Sequence, residues 1–291
     1  MRITEKIIQR GMVDDIHRQI ESMAKLQDQI SSGKQVHNLS DDPARAARSV
    51  SLNAAHAALI QHRQNAEEGV SWMNATLASL ASARSTIQTA RTNALQGATD
   101  TSSAESRQVL AIAVDRLSGQ LMEAANSKWN GSSLFAGNKT TTAAFSSTGV
   151  YQGDTGTMTR DIAPGETTVV NLTGDQVFTG GENAFQVLAD LKTALNNNDG
   201  SAINALLPRL DNAMNQMLKL EASLGAEVKR VETTTDRLNE LEVNLTARIS
   251  ANDDTDMPKA VVDLKNANNL YQAALKASST LFNTSLLDYL R

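Results

Sequence analysis

The sequence predicts a mainly α-helical protein: an elongated, discontinuous helical bundle or coiled coil with paired N- and C-terminal helices and a small β insert at its tip. Three observations predict this fold class. Apolar residues recur at steps of three and four over most of the 291 residues. Aromatic residues make up only 3% of the chain. Between about residues 130 and 182, Gly, Ser and Thr rise and short alternating runs appear between turn motifs.

The first helix is predicted from apolar residues spaced at close to the helical period. It is expected to end near Gly33, since glycine readily adopts the left-handed conformation that follows a helix end. A second helix starts at "SDDP", where Asp42 can cap the free amides and Pro43 fits the first helical position. It runs to about residue 97 along a seven-residue seam that Arg84 and Arg91 interrupt.

A third helix is predicted near residues 103–126, followed by the insert, in which "TMTRDI", "TTVVNL" and "QVF" are predicted strands. A helix around "AFQVLADLKTAL" comes next. The longest heptad repeat, residues 207–249, then begins close to Pro208, which marks either a kink or a true N-terminus. If the second helix turns back into the third, Arg84 is expected to form an ion pair with Asp115.

A second chain break, "ANDDTDMPKAVVDL", repeats the pattern of the first and opens the last helix. Asp253 and Asp254 are the predicted capping residues there, and Pro258 lies in the first turn. If the chain enters and leaves antiparallel, the two breaks lie side by side and form an interdomain joint. The predicted domains are a terminal assembly domain (1–42 and 251–291), a central bundle (43–136 and 183–250) and a β insert (137–182). The predicted joint residues are Gly33, Ser40, Asp41, Asp42, Pro43, Asp253, Asp254 and Pro258.

The last helix is apolar over an arc wider than one partner helix can cover. It either docks on its own bundle or is covered by other subunits, and short terminal helices of the second kind should fold on assembly. The predicted assembly interface is Ile8, Met12, Ile16, Ile20, Met23, Leu26, Ile30, Leu264, Tyr271, Leu275, Leu281, Phe282, Leu286, Leu287 and Leu290.

Composition and motifs argue against catalysis. The absence of cysteine excludes disulfides, thiolate metal sites and cysteine nucleophiles. The four histidines lack partners at metal-ligand spacing, and "SSGK" lacks the other elements of an SxxK enzyme. A formal charge of -5 argues against nucleic-acid binding. No apolar stretch is long enough to span a membrane. The first residues do not resemble a cleaved secretory signal. No enzyme activity, cofactor or metal is expected.

Several motifs carry a family resemblance. The joint "SGKQVHNLSDDPARAA", the insert motifs "NGSSLFAGNKTTTAAF" and "VYQGD", and the C-terminal "SLLDYLR" resemble the bacterial flagellin superfamily, and within it the hook-associated proteins of the hook–filament junction. The resemblance covers both ends and the start of the insert. Leu39 stands where the family commonly has proline. The chain also lacks the "QAN-PQ" element and the joint typical of flagellins proper.

The resemblance implies a secreted structural subunit of the extracellular flagellum. It implies export by the flagellar type III apparatus and assembly with itself, with the other hook-associated junction protein and with flagellin. It further implies a cytosolic export chaperone that covers the C-terminal helix. Two other classes stay open: a flagellin of the filament, and a secreted enzyme or adhesin whose activity would lie in residues 137–182.

Overall fold

Six helices account for most of the chain in a computed structural model, which describes residues 2–36 and 40–289. Within the terminal helices, the side chains of residues 2–6, 8, 9 and 280–289 are not described. The helices are α1 (Arg2–Ser32), α2 (Pro43–Ala98), α3 (Ala104–Ala125), α4 (Ala184–Asn196), α5 (Gly200–Asp253) and α6 (Met257–Tyr289). The predicted mainly α fold with paired terminal helices and a small β insert is confirmed.

Two small antiparallel hairpins lie between α3 and α4. They are formed by β1 (Lys128–Trp129) with β2 (Ser132–Ser133) and by β3 (Thr159–Ala163) with β4 (Glu166–Val169). In the first hairpin Asn130 and Gly131 have φ values of 48° and 81°, the positive pair that a type I′ turn requires. In the second, Gly165 supplies the positive φ, 75°, after Pro164. The strands predicted from "TMTRDI" and "TTVVNL" are therefore confirmed.

The predicted strand "QVF" is wrong, and so is one of the two alternatives for Pro208, a true N-terminus. The predicted strand "QVF" is part of a π-helical turn, Asp175–Thr179, in which the consecutive residues Val177 and Phe178 are both buried. A strand would point them to opposite faces. Pro208 lies inside α5 and does not mark its N-terminus. That helix starts eight residues earlier because Asp199 accepts a hydrogen bond from the Ala202 amide at 2.9 Å.

The chain forms two compact units, Leu59–Glu240 and Met1–Ala58 with Leu241–Arg291. Their limits fall inside α2 and α5, whereas the predicted domain boundaries fall at the chain breaks. The whole predicted joint belongs to the unit that contains both termini. The functional division into domains stays a prediction.

The unit Leu59–Glu240 has a continuous apolar core, formed by α2, α3, α4, α5 and the insert. Although aromatic residues are scarce, four of the five phenylalanines and one tyrosine meet in a single cluster, with ring centroids 5.0–5.7 Å apart. This cluster anchors the insert to α4. Its members are Phe135, Phe145, Tyr151, Phe178 and Phe185.

Charged residues in the seams of α2 and α5 pair with one another. Arg84 Nε lies 3.1 Å from both carboxylate oxygens of Glu221, and Arg91 Nε lies 2.5 Å from Asp211 Oδ1. The expected pair between Arg84 and Asp115 is wrong. Asp115 instead accepts from the Lys192 ammonium of α4 at 2.7 Å, because α3 packs against α4.

Candidate functional site

The two chain breaks lie side by side, as the sequence predicts. The Gln35 amide donates to the Asp253 carbonyl at 2.7 Å, and the Thr255 amide donates to the Gly33 carbonyl at 2.9 Å. These bonds form an isolated antiparallel bridge. We call this element the clasp; it consists of residues 33–35 and 253–255.

An ion pair reinforces the clasp. Lys34 Nζ lies 2.7 Å from Asp254 Oδ1. This hydrogen bond raises the pKa of Lys34 and is the largest cause lowering the pKa of Asp254. Burial by itself raises the pKa of Asp253, but hydrogen bonds from Asn252 and Ser49 outweigh it and leave that pKa lowered. The contacts of the clasp therefore favour the charged form of both aspartates.

The helix ends around the clasp follow standard capping chemistry. Gly33 has a φ of 69° and ends α1, where its amide donates to the Gln29 carbonyl. Asp42 accepts from the Arg45 amide at 2.9 Å and caps α2, as predicted. At the second break the acid whose side chain caps α6 is Asp256, which accepts from the Lys259 amide at 3.2 Å.

The remaining predicted joint residues have varied positions. Asp253 ends α5, and Asp254 belongs to the bridge, so neither has the predicted capping role. Asp41 lies 3.0 Å from Lys25 Nζ. Ser40 is exposed in the link between α1 and α2. Pro43 is the first residue of α2, and Pro258 the second of α6.

Side chains that sequence reasoning missed extend the clasp to α2. Arg45 Nη1 donates to the Asn252 carbonyl at 2.9 Å and to the Gln35 side chain. Asn252 in return donates to the Arg45 carbonyl at 3.2 Å. Ser49 donates to Asp253 at 2.8 Å. Neither Arg45 nor Asn252 interrupts an apolar pattern, so nothing in the periodicity marks them.

The terminal helices α1 and α6 pack against each other, and we call them the terminal pair. Gln19 Nε2 of α1 donates to the Ala267 carbonyl of α6 at 3.1 Å, 15 residues before Lys34 in one helix and 13 after Asp254 in the other. The pair is thus antiparallel. Of the side chains that the structure describes, Ala260 and Ala267 are the buried apolar residues of this unit.

The predicted interface residues are only partly covered by this pairing. Ile20 and Leu275 stay 45% and 43% exposed. Exposed apolar residues that the prediction omitted include Val13, Val261, Val262 and Leu270. The partly buried predicted residues are Met12, Ile16, Met23, Leu26, Ile30, Leu264 and Tyr271. The side chains of Ile8, Leu281, Phe282, Leu286, Leu287 and Leu290 lie outside the described residues.

Two kinds of site are absent from the described parts of the chain: metal clusters and membrane-spanning helices. Across them no three His, Asp or Glu residues cluster as metal ligands. No helix among the described residues is long and apolar enough to cross a bilayer. What the structure does present is a pair of helices, α1 and α6, whose described side chains leave apolar residues exposed.

Family comparisons agree with this architecture. Residues 3–140 match the bacterial flagellin N-terminal helical region, and residues 207–290 match the bacterial flagellin C-terminal helical region. The fold and the terminal pair thus define a protein of the flagellin class.

Individual relatives narrow the class. The chain is 32% identical to flagellar hook-associated protein 3 of Salmonella typhimurium over 80% of this chain and 82% of that protein. It is 28% identical to flagellar hook-associated protein 3 of Escherichia coli over 97% of both. The flagellar junction protein FlgL of Legionella pneumophila shares the fold, with a TM-score of 0.59 and 16% identity over 71% of this chain and 99% of that one.

The chain belongs to the family of flagellar hook-associated protein 3. It is a structural subunit of the bacterial flagellum, which confirms the function and the resemblance predicted from the joint and the C-terminal motif.

Proposed function

We propose that the terminal pair is the surface through which this subunit builds the junction between hook and filament. Its neighbours there are further copies of itself, the other hook-associated junction protein and flagellin. The observation that carries the proposal is the apolar surface that α1 leaves open on α6. None of the described residues covers this surface, so we expect other subunits to cover it.

Helix geometry shows how much of α6 stays open. At about 100° per residue, Leu270 lies roughly 60° to one side of Ala267, and Val261 lies roughly 120° to the other. Leu270 is 62% exposed, and Val261 and Leu275 are exposed as well. The apolar arc therefore spans about half the helix circumference, whereas a single partner helix covers a narrow seam. Neighbouring subunits would cover the remainder.

The two units also differ in the size of the apolar side chains that they bury. Leu59–Glu240 holds large buried residues such as Leu80, Ile87 and Leu210, and its core supports folding without partners. Among the side chains that the structure describes in the terminal pair, the buried ones are Ala260, Ala267 and Ser278. Isolated helices of this kind gain little in water. We infer that the pair becomes stable when subunits assemble.

The same surface explains the other proposed partners. A subunit exported through the flagellar type III apparatus has to keep its apolar α6 from associating before export. A cytosolic chaperone on the C-terminal helix would serve this purpose, with Leu275 in its contact. The assembled protein would then be extracellular, in the flagellum.

A deletion strain tests the junction role. It should keep its hooks and secrete unpolymerised flagellin, and the intact gene should restore filaments. Leu275→Ser should fail to restore them, whereas Leu218→Ser is a matched control, because Leu218 is a similarly exposed leucine of the other unit. Filaments of normal number with Leu275→Ser, or in the deletion strain itself, would contradict the proposal.

A further inference from the structure

The seam of the terminal pair repeats every seven residues. On α6, the buried Ala260 and Ala267 and the partly buried Ala274 recur at intervals of seven, and Ala267 contacts Gln19 of α1. On α1, the seam residues also recur at intervals of seven, in the rows Ile16, Met23, Ile30 and Met12, Gln19, Leu26. Along these rows, sliding one helix by seven residues sets alanine where alanine was and a long side chain where a long side chain was.

The polar contact in the seam does not choose between these registers. Gln19 donates to a backbone carbonyl, that of Ala267. Every helical residue carries such a carbonyl, so a slip of seven residues would offer Gln19 that of Ala260 or Ala274 in an equivalent position. The Gln19 hydrogen bond therefore favours pairing with a helix but does not specify which turn of α6 lies opposite Gln19.

The α2–α5 seam is different. Arg84 and Arg91 are seven residues apart, whereas their partners Glu221 and Asp211 are ten apart. A slip of seven residues would leave at least one of the arginines without its acid. The charged pairs within that seam therefore select one register.

We propose that the clasp is the element that sets the register of the terminal pair. Its two backbone hydrogen bonds and the Lys34–Asp254 pair join fixed residues, and a slip of seven residues moves them apart by roughly 10 Å. Arg45 and Asn252 tie the same point to α2 and α5. The consequence for assembly rests on the proposed function: a fixed register aligns the exposed apolar residues of α1 with those of α6 into one surface.

Disulfide trapping can report the register, because the chain has no cysteine of its own. Leu26 and Ala260 occupy the same relative positions as Gln19 and Ala267, one heptad closer to the clasp. Leu26→Cys with Ala260→Cys therefore reports the observed register. Leu26→Cys with Ala267→Cys reports the register slipped by seven residues.

Proline substitution breaks the clasp selectively. Gln35→Pro with Thr255→Pro removes both amide donors of the bridge. Gln35→Ala with Thr255→Ala removes the same side chains and keeps both donors, so it is the matched control. Each reporter pair is placed in both backgrounds and oxidised in the isolated chain. The disulfide traps the register that the two helices adopt whenever they meet, so the test does not require a terminal pair that is stable before assembly. An unchanged melting transition of Leu59–Glu240 verifies the fold.

With the intact clasp and with the alanine control, the observed-register disulfide should exceed the slipped one at least tenfold. In the proline background the two yields should become comparable. A proline chain that keeps only the observed register overturns the proposal, as does equal yield with the clasp intact. Loss of both disulfides in the proline chain also overturns it, since the clasp would then hold the helices together rather than choose their register. The readout needs no flagellum, so it fails or succeeds separately from the deletion-strain test.

Discussion

Two isoleucines at heptad positions should respond very differently to truncation. Ile87 in α2 is fully buried in the core of Leu59–Glu240, whereas Ile20 in α1 is 45% exposed. Ile87→Ala removes buried methyl groups and leaves a cavity, which costs about 2–5 kcal/mol. Ile20 buries little more than half of its side chain, worth about 1 kcal/mol, and alanine returns a few tenths through its helix propensity.

The difference should be visible in thermal unfolding followed by circular dichroism at 222 nm. For a unit of this size, 1 kcal/mol shifts the midpoint by about 2–4 °C, so Ile87→Ala should lower the main transition by roughly 5–15 °C. Ile20→Ala should leave that transition within about 2 °C, because Ile20 belongs to the other unit. Equal shifts for the two variants would refute the view that the core folds without the terminal pair.

Four further predictions concern single sites. Asp42→Ala should remove the α2 cap at a cost of about 1 kcal/mol, measured as faster amide exchange in the first turn; unchanged exchange would count against the cap. Arg84→Ala and Glu221→Ala should show a coupling of roughly 0.5–1 kcal/mol in a double-mutant cycle; strictly additive effects would argue that the pair is solvated. Gly97→Ala should lower the melting temperature despite the higher helix propensity of alanine, because its Cβ would lie 2.5 Å from a leucine methyl carbon of α4; a rise would disprove the close approach. Because the pKa of Asp254 is lowered, the clasp should stay closed above the ordinary aspartate pKa of about 3.9 and open as the pH falls through the lowered value; clasp amide shifts that already change near pH 6 would contradict this.

The sequence predicted a helix end correctly where a single residue type has a well-defined capping role. Gly33 and Asp42 were predictable because a left-handed glycine and a capping carboxylate act on neighbouring backbone groups. Asp253 and Asp254 show the limit of that logic. Several acids stand in a row at the second break, and only three-dimensional packing decides which of them caps, which bridges and which ends the helix.

Partners distant in the sequence were harder to predict. Arg84 and Glu221 could each be recognised as a polar interruption of a heptad seam, and pairing the two interruptions would have found the contact. The expectation of Asp115 failed because it assumed that α2 and α3 share one charged face. The predicted strand "QVF" failed for a different reason. Three residues are too few to show a period, and in the structure Phe178 lies in a π-helical turn that packs into the aromatic cluster.

For the candidate site, the sequence predicted that the two breaks meet and that α6 has surplus apolar surface. It could not supply the register, because the α1–α6 seam repeats every seven residues. The backbone bridge at Lys34 and Asp254 carries that information, and backbone hydrogen bonds leave no trace in side-chain periodicity.

Hydrogen exchange on the free, dilute chain tests most directly whether the terminal pair is completed by neighbouring subunits. Residues 43–250 should form a protected core, while residues 1–30 and 260–291 exchange quickly. Addition of the export chaperone should slow exchange in the C-terminal segment alone. If both terminal segments of the free chain are already as protected as residues 207–249, the terminal pair is self-contained and assembly is not what stabilises it.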